Sequence, residues 1–167
     1  MPQIRFEIGD REIDGDDYFA VIEPVFWSVS IYDGPERYEQ DLARFSNEQR
    51  QLLACHWYGS EVNNGGHNQF YFNSTGIVWP DALKGFVAMS LREVAAVVEE
   101  SARRLGGYPS LDREEREQQL EDFNPDFEDL DNELFRLQEE IDFDVRAMQF
   151  IQTNREKFFF SGMVEKS

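Results

Sequence analysis

Apolar positions along the chain recur mostly at spacings of three and four, so the pattern predicts helices. The front end differs: Ile4, Phe6 and Ile8 alternate with polar residues, and Gly9-Asp10 offers a turn, which predicts a short N-terminal hairpin. Tyr18, Val21, Ile22, Val25, Phe26 and Val29 return to helical spacing. Pro24 sets a boundary among them, in the first turn of a second piece that Asp33-Gly34-Pro35 ends. Ser46 with Gln49 makes a capping box ahead of QLLACHWYG, where Leu52, Leu53, His56 and Trp57 carry the helix on. Gly65-Gly66 and Asn73-Ser74-Thr75-Gly76 read as two turns enclosing a short helix around Phe70 to Phe72.

Pro80 and Asp81 open a long predicted helix through Leu83, Phe86, Val87, Ser90, Val94 and Val97 to Leu105, stopped by Gly106-Gly107. A helix over 112–122 ends before Asn124-Pro125, because the residue preceding a proline is biased away from helical geometry. Phe127, Leu130, Leu134, Leu137, Ile141 and Val145 then form one stripe of the next helix, and residues 146–160 a closing helix around Met148, Ile151 and Phe158. The expectation is a mainly α, multi-helix bundle in which residues 1–167 make one domain. No solenoid-length repeat, low-complexity tract or targeting segment interrupts it.

Charge changes this picture. The chain of 167 residues has 34 Asp and Glu against 16 Lys and Arg, a net −18. That sign disfavours direct nucleic-acid binding, which needs cations to neutralise phosphate. The acidity is concentrated: residues 111–144 alone carry a net −12, residues 1–41 a net −8, and the centre is neutral. At about 1.5 Å per helical residue the −12 block spreads over at most about 51 Å, about one charge per 4 Å. A DNA strand presents one per about 3.4 Å. On the helical wheel Asp126, Asp129, Glu133, Glu140 and Asp144 flank the apolar stripe, while Glu128, Asp131, Glu139 and Asp142 point away from the core. Asp112, Glu114, Glu115, Glu117 and Glu121 precede them. An apolar stripe of this kind separates an ordered acidic surface from a disordered tail, although high charge of one sign also simply keeps a protein soluble.

Other chemistry is sparse. Cys55 is the sole cysteine, so no internal disulfide forms, and with His56 and His67 it makes no HxxxH or CxxC ligand spacing. No metal and no cofactor is expected. Cys55 and His56 are neighbours about 100° apart on a helix, which removes a thiol and base pair. No nucleophile, base and orienting group assemble elsewhere, so no catalytic residue is assigned and the chain reads as non-enzymatic. No apolar run approaches the length of a membrane span, and a soluble cytoplasmic protein in a reducing compartment is expected.

Trp57, Glu61-Val62-Asn63-Asn64-Gly65-Gly66, Gln69-Phe70 and Asn73-Ser74-Thr75-Gly76, with the acidic C-terminal helices, resemble a family of bacterial DNA-mimic proteins long catalogued as a domain of unknown function. The resemblance implies an all-helical fold, a homodimer, and a role occupying the DNA-binding face of a transcription regulator so that it leaves its operator. The motif residues themselves read as scaffold, with Gly65 and Gly66 turning the chain, Trp57 and Phe70 packing, and Asn63 and Asn73 capping backbone groups. The partner-facing residues are then the acids of 112–144, joined by Asp14, Asp16 and Asp17. Two alternatives use the same sequence: an immunity or antitoxin protein that plugs a basic nuclease toxin, and a small-ligand binder built on Asn63, Asn64, His67 and Gln69.

Overall fold

The computed structural model describes residues 2–166 and is mainly helical. A strand β1 (Gln3–Ile8) leads into the short helix α1 (Asp10–Ile13), then α2 (Tyr18–Ser28), α3 (Gly34–Leu42) and the long α4 (Asn47–Phe72). A 3-10 turn (Ser74–Val78) joins α4 to α5 (Trp79–Ala88), followed by α6 (Arg92–Arg103), α7 (Arg113–Phe123), α8 (Glu128–Glu140) and α9 (Phe143–Thr153). A second 3-10 turn (Arg155–Phe158) and strand β2 (Phe160–Glu165) complete the order. One continuous apolar core is built around α4, whose Leu52, Leu53, Tyr58, Val62, Phe70 and Tyr71 are all fully buried.

Several elements differ from the pattern-based expectation, each for a local reason. The strand at Ile4 to Ile8 exists, but it makes no hairpin: it pairs antiparallel with β2, Gln3 opposite Glu165 and Ile8 opposite Phe160. Gly9 instead starts α1, its N–H donating 2.9 Å to the Glu12 carboxylate. Pro24 lies inside an unbroken α2, buried, where packing outweighs the one backbone hydrogen bond its ring removes. Asp33-Gly34-Pro35 opens α3 rather than only ending what precedes it. The long helix expected from Pro80 to Leu105 divides at Ser90, which takes φ +60° while the Leu91 N–H reaches back 2.8 Å to the Phe86 carbonyl. That is a helix-ending geometry usually supplied by glycine, so no punctuating residue signalled it. The stripe from Phe127 to Val145 also breaks. α8 stops at Glu140, Asp142 caps α9 by accepting from the Val145 N–H at 3.2 Å, and Val145 turns out to solvent.

The capping box at Ser46 and Gln49 forms as expected, and α4 runs through a kink at Gly65-Gly66, whose φ/ψ are −153°/17° and 77°/−180°. Gly66 needs this left-handed φ and also the missing side chain, since a Cβ there would sit 2.5 Å from Asp131 Oδ2 on α8.

α7 is anchored by Arg116, which is fully buried and, among the described residues, forms no ion pair with a carboxylate. Its Nε donates 2.7 Å to the Tyr71 carbonyl and its two terminal nitrogens donate to Asn73 at 2.7 Å and to Ser110 and Leu111 at 2.9 and 3.3 Å. These are carbonyls at the C-terminal end of α4, the negative end of its dipole, and in the loop before α7. Gly76 backs the guanidinium so closely that any side chain there would overlap it. Burial, with Arg113 nearby, pulls the Arg116 pKa down to about 10, and it still carries its proton at neutral pH.

Two stability outcomes follow. Arg116→Lys replaces a fork that reaches four carbonyls by one compact ammonium, and the loss is expected on the order of 3 kcal/mol in urea unfolding; a change below about 0.5 kcal/mol would show the fork to be dispensable. Gly59, inside α4, faces open space with no atom within 4 Å of an added Cβ. Gly59→Ala should raise stability by about 0.5 to 1 kcal/mol in the same experiment, and destabilisation would mean that the space is not open.

Candidate protein-interaction surface

The acidic segment is three pieces, α7, α8 and the start of α9, so its carboxylates form no single straight row. They sort by what each already holds. Glu114, Glu121, Glu128, Glu139, Asp144 and, near the front, Asp16 are exposed and form no hydrogen bond or ion pair among the described residues. Asp112, Asp126, Asp142 and Asp17 are exposed but spend one oxygen on a backbone N–H at a helix start, at 2.9 to 3.3 Å. Glu115 accepts from the Ser110 hydroxyl at 2.7 Å.

The remainder are paired. Arg104 grips both oxygens of Asp129 at 2.7 and 2.8 Å, Arg136 bridges Glu133 and Glu140 at 2.7 and 2.9 Å, Arg113 meets Glu117 at 3.2 Å, and Arg155 meets Asp14 at 2.5 Å. The Arg136 and Arg113 pairs follow helical spacing of three and four and were readable in the sequence. The Arg104 and Arg155 pairs span distant segments and were not.

Asp131 overturns its expected outward placement. One of its oxygens accepts both the His67 backbone N–H at 2.8 Å and His67 Nδ1 at 2.6 Å. His67 is fully buried, with Nε2 2.6 Å from the Tyr58 hydroxyl. With Nδ1–H donating to the carboxylate, Nε2 is left to accept from the tyrosine, whose proton is secured because burial pushes Tyr58 well above its ordinary value. This chain of bonds fastens α8 to the kink of α4.

Among the motif residues, Asn63, expected to cap a backbone group, is exposed and its side chain makes no hydrogen bond among the described residues, and the others are placed as follows. Trp57 stacks on Phe26 with centroids 5.1 Å apart, and Phe70 meets Tyr58 edge-on at 5.1 Å. Asn73 donates its side-chain N–H to Glu61 and its main-chain N–H, at 2.9 Å, to the Gln69 carbonyl, bracing the helix beyond the kink. Gly65 closes over the Gln69 side chain, and Asn64 is exposed beside it. Gly66 and Gly76 are the seats of Asp131 and Arg116. The motif thus holds both acidic helices, α8 through the kink and α7 through the helix end.

Asn63, Asn64, His67 and Gln69 do not gather around a cavity. His67 is sealed in the core and Asn63 only borders a cleft that lies on the other side of Tyr58. Cys55 is buried against Gly85, its Sγ 3.6 Å from the Ala82 carbonyl, and burial pushes its thiol well up, away from nucleophilic use. Among the described residues no three His, Cys, Asp or Glu stand together as metal ligands, and no helix is long and apolar enough to cross a membrane.

The hydrogen bonds from Arg104 hold the Asp129 carboxyl down to about 2, from an ordinary 3.8. A carboxyl lowered in the folded state stabilises above its ordinary value and loses that contribution as pH falls toward 2. A carbon-detected NMR titration should therefore find the Asp129 midpoint at least one unit below its value in Arg104→Ala; identical midpoints would mean that the pair does not persist in solution.

The model of a family described as DMP19-like protein matches residues 43–154, from the loop before α4 to the end of α9. No curated protein and no solved structure matches the chain. The matched span includes the kinked helix, both glycine seats and all three acidic pieces, and on it the chain belongs to the DMP19-like family.

Proposed function

We propose that this protein is a DNA mimic: an acidic, non-enzymatic helical domain over residues 1–167 that binds a basic DNA-binding protein, a transcription regulator, and keeps it from DNA. The observation that carries the reading is the set of exposed, unpaired carboxylates Glu114 and Glu121 on α7, Glu128 and Glu139 on α8 and Asp144 at the start of α9, with α7 fixed to the core by Arg116 and α8 by the His67–Asp131 bond. Charges on fixed supports meet a cationic surface without first losing conformational freedom, and they steer encounter from a distance. The family supports the same reading, as a DNA-mimic family. Asp129, Glu133 and Glu140 contribute to the field but are committed to arginines, so the unpaired five are the primary contacts. Asp112, Asp126, Asp142 and Asp16 supplement them. The expected homodimer draws support from two exposed rings, Tyr108 in the loop before α7 and Phe123 at its end beside Gly106.

The test is capture from the native lysate on the purified protein at low and high salt, followed by competition with DNA. A DNA-binding regulator that is recovered at low salt, lost at high salt and displaced by its own operator would support mimicry. Replacing Glu114, Glu121, Glu128 and Glu139 by Gln and Asp144 by Asn should weaken that complex at least tenfold, about 1.4 kcal/mol, with an unchanged melting curve. Unweakened binding would remove these acids from the contact. Capture of a nuclease toxin in place of a regulator would turn the same surface to immunity and overturn the proposal.

A further inference from the structure

A cleft of about 650 Å³ opens between α4 and the α8–α9 junction. Its floor is apolar, with Phe86, Leu91, Leu134 and Leu137 all buried, and its edge carries the exposed Glu139, Glu140, Asp142 and Asp144. The wall is aromatic: the Tyr18 ring meets Phe143 edge-on at 5.4 Å, and its hydroxyl lies 2.8 Å from His56 Nδ1. Gly59 belongs to this lining, and it is there that an added Cβ meets nothing within 4 Å. A glycine in mid-helix is unfavourable for α4, and here its effect is to leave the space empty. Of the four edge acids, Glu140 is held by Arg136 and Asp142 caps α9 with one oxygen, whereas Glu139 and Asp144 form no hydrogen bond or ion pair among the described residues.

We propose that the cleft receives one arginine side chain of the protein partner, its stem along the apolar floor and its guanidinium at Glu139, Asp142 and Asp144. The proposal rests on the reading that the partner is a DNA-binding protein, whose phosphate-facing surface supplies such side chains. An apolar floor beneath an anionic edge suits a cation on a hydrocarbon stem. Arginine fits better than lysine because a planar guanidinium lies against aromatic rings and forks onto carboxylate oxygens. Burial lowers the His56 imidazole below its ordinary 6.5, against the opposing influence of Asp144, so the wall adds no competing cation at neutral pH. The volume is in the range of sites that enclose a small ligand, and it also admits an apolar residue next to the arginine.

The probe is the blocked dipeptide acetyl-Leu-Arg-amide, titrated into the full-length, ¹⁵N-labelled protein, with the citrulline dipeptide as its uncharged isostere. Saturable shifts at Gly59, His56 and Phe143, with citrulline at least tenfold weaker, are expected. Gly59→Leu, which fills the cleft, and the separate surface variant Glu139→Gln/Asp144→Asn should each weaken the arginine probe at least tenfold without lowering the melting temperature. The absence of saturable shifts, equal binding of citrulline, or undiminished binding to both variants would overturn the site. The same Gly59→Leu protein separates this inference from mimicry. If it still holds a DNA-binding regulator as tightly as the wild type, the cleft is not where the partner's arginine goes, while mimicry stands. If the wild type binds the probe in the cleft but no DNA-binding protein, mimicry fails and with it the partner named here.

Discussion

A guanidinium hydrogen-bonded to main-chain carbonyls holds one of the two acidic helices, α7, in place. Arg116 is dehydrated and donates its hydrogen bonds to four main-chain carbonyls, at the end of α4 and in the loop before α7. Taking a charge out of water costs several kcal/mol unless its hydrogen-bonding capacity is met, and here it is met by the end of a helix dipole. A carboxylate partner would have withdrawn one more acid from the surface. By using backbone oxygens instead, the fold anchors α7 and keeps its glutamates facing outward. Tyr71, Asn73 and Gly76 therefore act on the acidic surface without being part of it.

The other helix, α8, is held by the opposite device. An acid, Asp131, is drawn inward to His67, and Gly66 gives it room. Arg104 and Arg136 then quench part of the charge that α8 shows. The result is a surface less negative than composition implies but fixed in position, in which unpaired carboxylates stand among neutralised ones. Like charges packed on one scaffold repel, and the internal arginine pairs lower that cost while leaving isolated anions exposed.

Much of the architecture was legible in the chain, and the unread parts share a cause. The capping box at Ser46, the turn at Gly65-Gly66 and the end of α7 before Pro125 are local chemistry, and local chemistry is written in neighbouring residues. The partner of β1 lies more than 150 residues away, and the break at Ser90 uses a residue that does not announce a left-handed turn. Pro24 was read by its usual effect and overridden by packing. At the surface, the acids were visible but not their allocation: nothing adjacent to Asp131 in sequence indicates His67, and nothing adjacent to Asp129 indicates Arg104. Arg116 was visible in one sense, since with Leu120 it occupies the inward face of α7 where a hydrophobic residue would be expected.

Pairing β1 with β2 has a consequence for how the molecule comes into being. Every α-helix can begin to form as soon as its own residues leave the ribosome, but Gln3 to Ile8 must remain without a partner until Phe160 to Glu165 have been made. Closing a loop of that length is slow relative to local helix formation. Until β2 has been made, β1 is a strand without its partner, followed in sequence by Asp10, Glu12, Asp14, Asp16 and Asp17. That run of charge next to an open edge discourages the strand from adding to a neighbouring nascent chain. Charge beside β1 thus bears on the strand before it is paired as well as on the surface of the finished fold.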